Sequence, residues 1–186
     1  LQGIVVESGT SSTTSTHNIN NNNFTTVTYS PAGSTGTVTL ISSVVAALNV
    51  NINNNTFTNL SVNTTGSVTF IAHSYTVPAT GTQTINGNSI VTAFNKTGAG
   101  GTVTCMTSGA STIANTLTSH TNNNFSNITV TGATAITGIS NTDGLSTIAS
   151  PKVITGNIFN NWTGGTSAIT GMSYAYFGST TSTLSN

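Results

Sequence analysis

The chain has 186 residues and a formal net charge of zero, and only 2% of its residues are charged: Glu7, Lys96, Asp143 and Lys152, with no Arg. An ordinary soluble domain carries about 25% charged residues. So little charge leaves no electrostatic footprint for nucleic acid, an anionic membrane or an acidic substrate, and nothing that repels a second copy. Hydrophobic residues at 35% exclude the core-poor composition of a disordered chain. The remainder is dominated by Thr, Asn, Ser and Gly, a mixture of strand-favouring and corner-favouring residues, so an all-β chain with many tight corners is expected.

The length fits one domain. No apolar run reaches the roughly 18 residues needed to span a bilayer. The chain opens at Leu1 with neither a start Met nor a signal peptide and is expected to be processed or excised from something longer. A single cysteine, Cys105, cannot close an internal disulfide. Sequons such as Asn59-Leu60-Ser61 and Asn161-Trp162-Thr163 are frequent, as chance alone gives in so Asn- and Thr-rich a sequence.

In chain order, residues 1–16 carry a strand-like Gly3-Ile4-Val5-Val6 and read as the tail of an incomplete rung. A repeat then begins. Its first motif, Ile-x-x-Asn-x-Phe, appears at Ile19, Asn22 and Phe24, then at Ile52, Asn55 and Phe57. A softer copy is Ile85, Asn88 and Ile90, followed by His120, Asn123 and Phe125, and by Ile154, Asn157 and a final aromatic at Phe159. The invariant Asn recurs at intervals of 33, 33, 35 and 34 residues. Downstream in each copy lies a second column: Val38-Thr39-Leu40-Ile41, Val68-Thr69-Phe70-Ile71, Val103-Thr104-Cys105-Met106, Ile136-Thr137-Gly138-Ile139 and Ile169-Thr170-Gly171-Met172. A third apolar patch closes most copies, at Val44-Val45, Val77, Ile113, Ile148 and Leu184. No window shows the apolar spacing of a helix, and Pro31, Pro78 and Pro151 fall between columns.

A repeat of this size, with two or three short strands, cannot bury its own apolar face, and stacking copies in register solves that. Phe24, Phe57, Ile90, Phe125 and Phe159 then form an internal stack, and Asn22, Asn55, Asn88, Asn123 and Asn157 an amide ladder at a corner where Asn tolerates left-handed backbone. The expected fold is all-β: a parallel β-helix of about five rungs in one domain, with a partial rung over 1–16, five repeats over 17–182 and the start of another over 183–186. The Ile-x-x-Asn-x-Phe rung followed by Gly-x-Val-Thr resembles the right-handed parallel β-helix repeats of the pectin-lyase-like superfamily, above all the Asn- and Thr-rich solenoids of secreted bacterial surface proteins. The resemblance covers residues 17–186 and implies an architecture rather than an activity. The acid-rich, Lys- and Arg-containing clefts of that superfamily's enzymes have no counterpart, so no catalytic residue carries over and no cofactor is implied.

Glu7 and Asp143, the only carboxylates that could share acid–base work, are separated by several rungs and read as solvated loop residues. His17 and His120 stand at related positions three repeats apart and His73 lies elsewhere in its rung, which excludes a shared metal site; His120 is expected to be partly exposed. Cys105 reads as an inert core thiol. Gly98-Ala99-Gly100-Gly101 is a loop, not a phosphate cradle. Trp162, Tyr174, Tyr176 and Phe177 either stack on sugar rings or close the core near one end. The Thr column (Thr39, Thr69, Thr104, Thr137, Thr170) is a candidate binding face, beside a second column of Thr37, Ser67, Thr102, Ala135 and Ala168 that decays to Ala. These features favour a secreted or cell-surface structural, display or adhesive module that associates with itself or continues a longer chain. An ice-binding or carbohydrate-binding module that uses the Thr face or the C-terminal aromatics is the alternative.

Overall fold

The computed structural model describes residues 1–7, 12–44, 46–109, 116–142, 150–175 and 182–185. There is no helix among them, and all strand pairings are parallel. Each turn of the chain visits four sheets in the same order. The first and widest sheet holds Gln2–Glu7, Val38–Val44, Val68–His73, Thr102–Ser108, Ala135–Asn141 and Ile169–Tyr174. The second holds Thr16–Asn18, Asn49–Asn51, Thr82–Thr84, Leu117–Thr121, Lys152–Thr155 and Thr183–Ser185. The third is short, with Asn23–Thr25, Thr56–Thr58 and Ser89–Ile90, prolonged by single bridges through Asn124 to Ile158. The fourth contains Thr28–Tyr29, Leu60–Val62, Phe94–Lys96, Ile128–Val130 and Trp162–Gly164. The result is a parallel β-solenoid of about five turns.

Four strands per turn exceed the two or three expected from the repeat, and the reason is local. Left-handed backbone at Thr26, Asn59, Asn127 and Asn161 (φ 53–61°) turns the chain between the third and fourth sheets, splitting what reads in sequence as one extended stretch. The long strands of the first sheet carry a different device. Val38 points inward and Thr39 outward, but Leu40 and Ile41 are both buried before Ser42 turns out again. Phe70 with Ile71 and Cys105 with Met106 repeat this, so each strand bends at the pair and lines two walls of the core.

Inward residues stack slot over slot. Phe24 lies on Phe57 with ring centroids 5.3 Å apart, while Phe70 meets Phe57 and Phe94 edge-on at 5.0 and 4.9 Å, a geometry favoured by the ring quadrupoles. Ile90 and Phe125 continue the column fully buried, and Phe159 closes it half-buried. Cys105 shares a slot with Leu40 and Phe70, has no exposure, and burial pushes its thiol well above the ordinary range. In that slot one level on stands Gly138, where a Cβ would come within 2.5 Å of a Phe159 ring carbon. Slot volume is therefore shared across the core. At that level a small residue in one column leaves room for the Phe159 ring in the facing column, whereas at the levels of Phe57, Phe70 and Phe94 large rings fill the space edge-on.

The third apolar patch is not one column. Val77 is buried, but Leu184 pairs with Ile154 in the second sheet and is 56% exposed; Val45, Ile113 and Ile148 lie outside the described residues. Phe57 is the centre of the aromatic column, with no exposed surface. Its replacement by Ala is expected to cost about 3–5 kcal/mol, measured by urea denaturation; a loss below about 0.5 kcal/mol, typical of a surface site, contradicts this packing.

Candidate functional site

The most ordered polar feature is an amide chain running the length of the stack. Asn22 Nδ2 donates to Asn55 Oδ1 (2.9 Å), Asn55 to Asn88 (2.9 Å), Asn88 to Asn123 (3.0 Å) and Asn123 to Asn157 (2.9 Å). Each backbone N–H in the series donates to the same acceptor, at 3.0–3.1 Å. The second Nδ2 hydrogen reaches back to a carbonyl of the preceding turn: Asn55 to Ile19, Asn88 to Ile52, Asn123 to Ile85 and Asn157 to His120, all at 2.8 Å. The interior amides of Asn55, Asn88 and Asn123 thus use two donors and two acceptor sites, the full capacity of a carboxamide. The left-handed residue at this corner is not the ladder Asn itself but the one before it: Asn21, Asn54, Gly87, Asn122 and Gly156, at φ 55–66°. The division is physical. The preceding residue makes the bend, and the ladder Asn is left free to point inward.

Outward faces differ sharply. On the second sheet, side chains satisfy one another across turns: Asn49 Nδ2 donates to Thr16 (3.1 Å), Thr82 to Asn49 Oδ1 (2.9 Å), Asn51 to Asn18 (2.8 Å) and Thr84 to Asn51 (2.8 Å). On the first sheet, Thr39, Thr69, Thr104, Thr137 and Thr170 stand in one register row behind Gln2. They are half-buried or exposed, and none of their hydroxyls bonds to another described residue. Ser42, Ala72, Thr107, Ser140 and Ser173 form a parallel row on the same face.

The ionisable groups are mostly inside. Lys96 occupies an inward slot of the fourth sheet between Val62 and Val130. Its ammonium donates to the carbonyls of Thr64 (2.7 Å), Gly100 (2.7 Å) and Gly98, so the Gly-rich loop is a carbonyl cage for this cation. Burial lowers its pKa. A Cβ at Gly98 would collide with Thr64 backbone, which explains glycine there. His120 is fully buried, contrary to the partial exposure expected, because it fills the inward slot of Ile85 and Ile154. Its Nε2 bonds Gln83 Oε1 (2.8 Å) and its Nδ1 the Tyr174 hydroxyl (2.9 Å). Burial first, then the charges of Lys152 and His73, hold its pKa down at about 3. His73 and His120, read as separate in the sequence, are thus electrostatic neighbours, whereas the half-buried His17 shares the slot of Val50 and is not equivalent to His120.

A polar seam runs inside the first sheet, where Ser43, His73, Ser108, Asn141 and Tyr174 share one slot. His73 Nδ1 meets Ser43 (3.3 Å) and Asn141 Nδ2 donates to Ser108 (2.8 Å), while Asn141 Oδ1 is buried without a hydrogen bond among the described residues. Sequence reasoning missed this seam, although a polar residue recurs two positions after Ile41, Ile71, Met106 and Ile139. Glu7 ends a strand rather than lying in a loop and is exposed; Asp143 lies outside the described residues, as do Tyr176 and Phe177. Trp162 takes a core slot above Ile128, donates to the Phe125 carbonyl (2.6 Å) and meets Phe159 edge-on at 5.5 Å, so it closes the core instead of offering a free ring face. Among the described residues no three His, Cys, Asp or Glu side chains cluster as metal ligands. Neither family models nor curated proteins nor solved structures yield a match to this chain.

Asn88→Ala removes the acceptor of both the Asn55 backbone N–H and its carboxamide, and takes the side-chain donor from Ile52. Each stranded buried group costs about 1–3 kcal/mol. Denaturant titration is expected to show a larger loss for Asn88→Ala than for Asn22→Ala, whose amide is half-buried at the start of the ladder; equal losses contradict cooperative coupling along the chain of amides. Lys96→Met is expected to be similarly severe by the same titration, because the carbonyls of Thr64 and Gly98 lose this donor and that of Gly100 keeps only the Thr134 hydroxyl at 3.2 Å.

Proposed function

We propose that this chain is an extracellular structural element, a rigid rod that displays its faces and is built from secreted β-helix coils of the pectin-lyase-like kind. The observation that carries the reading is the unbroken ladder from Asn22 to Asn157, which fixes all five coils in one register. Such a register keeps parallel strand edges and a ladder amide in step from coil to coil, the geometry on which a further level stacks. A register of this kind can be prolonged by further coils or by a second copy placed head to tail, and zero net charge does not oppose that approach. The sequestering of Lys96, Lys152 and His120 inside the coil also favours support over catalysis.

Electron micrographs of the purified chain are expected to show rods that lengthen with concentration in whole-subunit steps, and polysaccharide panels no turnover. A compact monomer at high concentration in sedimentation rejects self-association, and cleavage of any glycan rejects the structural role.

A second reading is favoured by one contrast, the open Thr hydroxyls of the first sheet against the mutually bonded ones of the second. A row of unpaired hydroxyls can order water or meet a hydroxyl-rich polymer. The neighbouring column weakens it, since Ala135 follows Thr102. If this face binds ice, Thr104→Tyr abolishes inhibition of ice recrystallisation; if wild-type protein does not alter ice growth, the ice reading is excluded.

A further inference from the structure

We propose that Asn86–Gly87 is a deamidation site that the stack keeps closed: while the coils are in register the reaction is withheld, and a chain that loses the register is converted there to a form that cannot regain it. Nowhere else in the sequence does Asn directly precede Gly. In this pair the carboxamide is most open to attack by the following peptide nitrogen, since glycine has no Cβ to obstruct the approach. The row that holds Asn86 carries Asn20 and Asn53 on the preceding coils and Thr121 and Thr155 on the following ones. Only at this level does a carboxamide stand beside a glycine at the left-handed corner, Gly87 at φ 66°.

The reaction is intramolecular and consumes only water. Gly87 N bonds to Asn86 Cγ, the Cγ–Nδ2 bond breaks, and the N–H proton leaves with Nδ2 as ammonia, closing a cyclic imide. Water then opens the imide at either carbonyl, giving aspartate, or isoaspartate with an extra carbon in the main chain. In the stacked coil both reacting groups are engaged by the next coil. Gly87 N–H donates to the Thr121 carbonyl (2.9 Å), and Asn86 Oδ1 accepts from the Thr121 N–H (2.8 Å) and the Ser119 hydroxyl (3.2 Å). Ring closure turns Cγ onto the Gly87 nitrogen and breaks these bonds. The flanking N–H groups of Ile85 and Asn88 are tied to the same coil, so the corner reacts only when it opens. Isoaspartate then lengthens the main chain just ahead of Asn88, whose side chain is bound to Asn55, Asn123 and the Ile52 carbonyl. Ordinary aspartate keeps both the acceptor bonds and the chain length, so it still stacks.

Peptide mapping of the intact chain tests this, since it detects the mass gained when an amide becomes an acid and separates isoaspartate from aspartate. At neutral pH, deamidation at Asn86 is expected to be at least about tenfold slower in native buffer than in guanidinium chloride, because the open fraction of a folded domain is about 10⁻³ or less. After long incubation in denaturant, dilution is expected to leave isoaspartate out of the refolded fraction and concentrated in the fraction that fails to fold. Asn86→Thr, the residue that the next two coils carry in this row, removes the carboxamide and is expected to keep its refolding yield through an incubation that lowers the yield of wild type. A native rate within about tenfold of the denatured one overturns the proposal. So does a faster native rate, which would mean that Thr121 and Ser119 activate the carboxamide instead of withholding it. Equal loss of yield in Asn86→Thr, or isoaspartate in the same proportion in both fractions of wild type, overturns it as well. The two wild-type readouts decide the matter should Asn86→Thr not fold.

Discussion

A carboxamide that donates forward, donates back and accepts twice is the interaction on which this solenoid depends. Parallel strand pairing fixes the spacing between coils, and the buried face of each strand is a first means of resisting a slip in register. The ladder Asn supplies a second at a fixed place in each turn, because its side chain binds both the equivalent Asn of the next coil and the backbone of the previous one. A slip of one residue would leave buried amide groups unpaired at every level, and the interior dielectric makes that costly.

The corner geometry makes the ladder possible. Asn21, Asn54, Gly87, Asn122 and Gly156 take the left-handed turn, and the following Asn is thereby aimed into the core. The two residues have different jobs, so Gly replaces Asn freely at the first and never at the second. The same economy governs the core, where Gly138 yields space to Phe159 and Phe70 fills the space between Phe57 and Phe94. Cations obey it as well. Lys96 is tolerated inside because its ammonium takes three carbonyls as partners, and His120 because it stays neutral between Gln83 and Tyr174.

The fold class was legible in the sequence because stacking repeats an identical slot every 33–35 residues, and repetition survives the noise of a Thr- and Asn-rich composition. The all-parallel pairing and the absence of helix in the described residues agree with that reading. What the repeat conceals is direction. Whether Leu40 and Ile41 both face inward depends on a bend that no alternation rule contains, and the fourth sheet depends on left-handed residues such as Thr26 and Asn59, whose type does not announce it. Exceptions within a column were harder still. His120 replacing Ile reads as a partly exposed rung residue until Gln83 and Tyr174, distant in sequence, are seen to supply its partners. Nothing in the sequence around Lys96 marks it as buried; that appears only when the carbonyls of Thr64, Gly98 and Gly100 are seen to converge on it. The Thr row is legible as a row, but its openness to solvent emerges only beside the self-bonded second sheet.

The ladder's role in holding register is tested most directly by native-state hydrogen exchange at its own backbone amides. Asn55, Asn88 and Asn123 lie outside the assigned strands, yet their N–H groups donate to a buried carboxamide. They are expected to exchange as slowly as Ile71 and Met106 in the central strands, through global unfolding alone. Exchange at the rate of an open corner, while the strands stay protected, would mean that the sheets hold the coils without the amides.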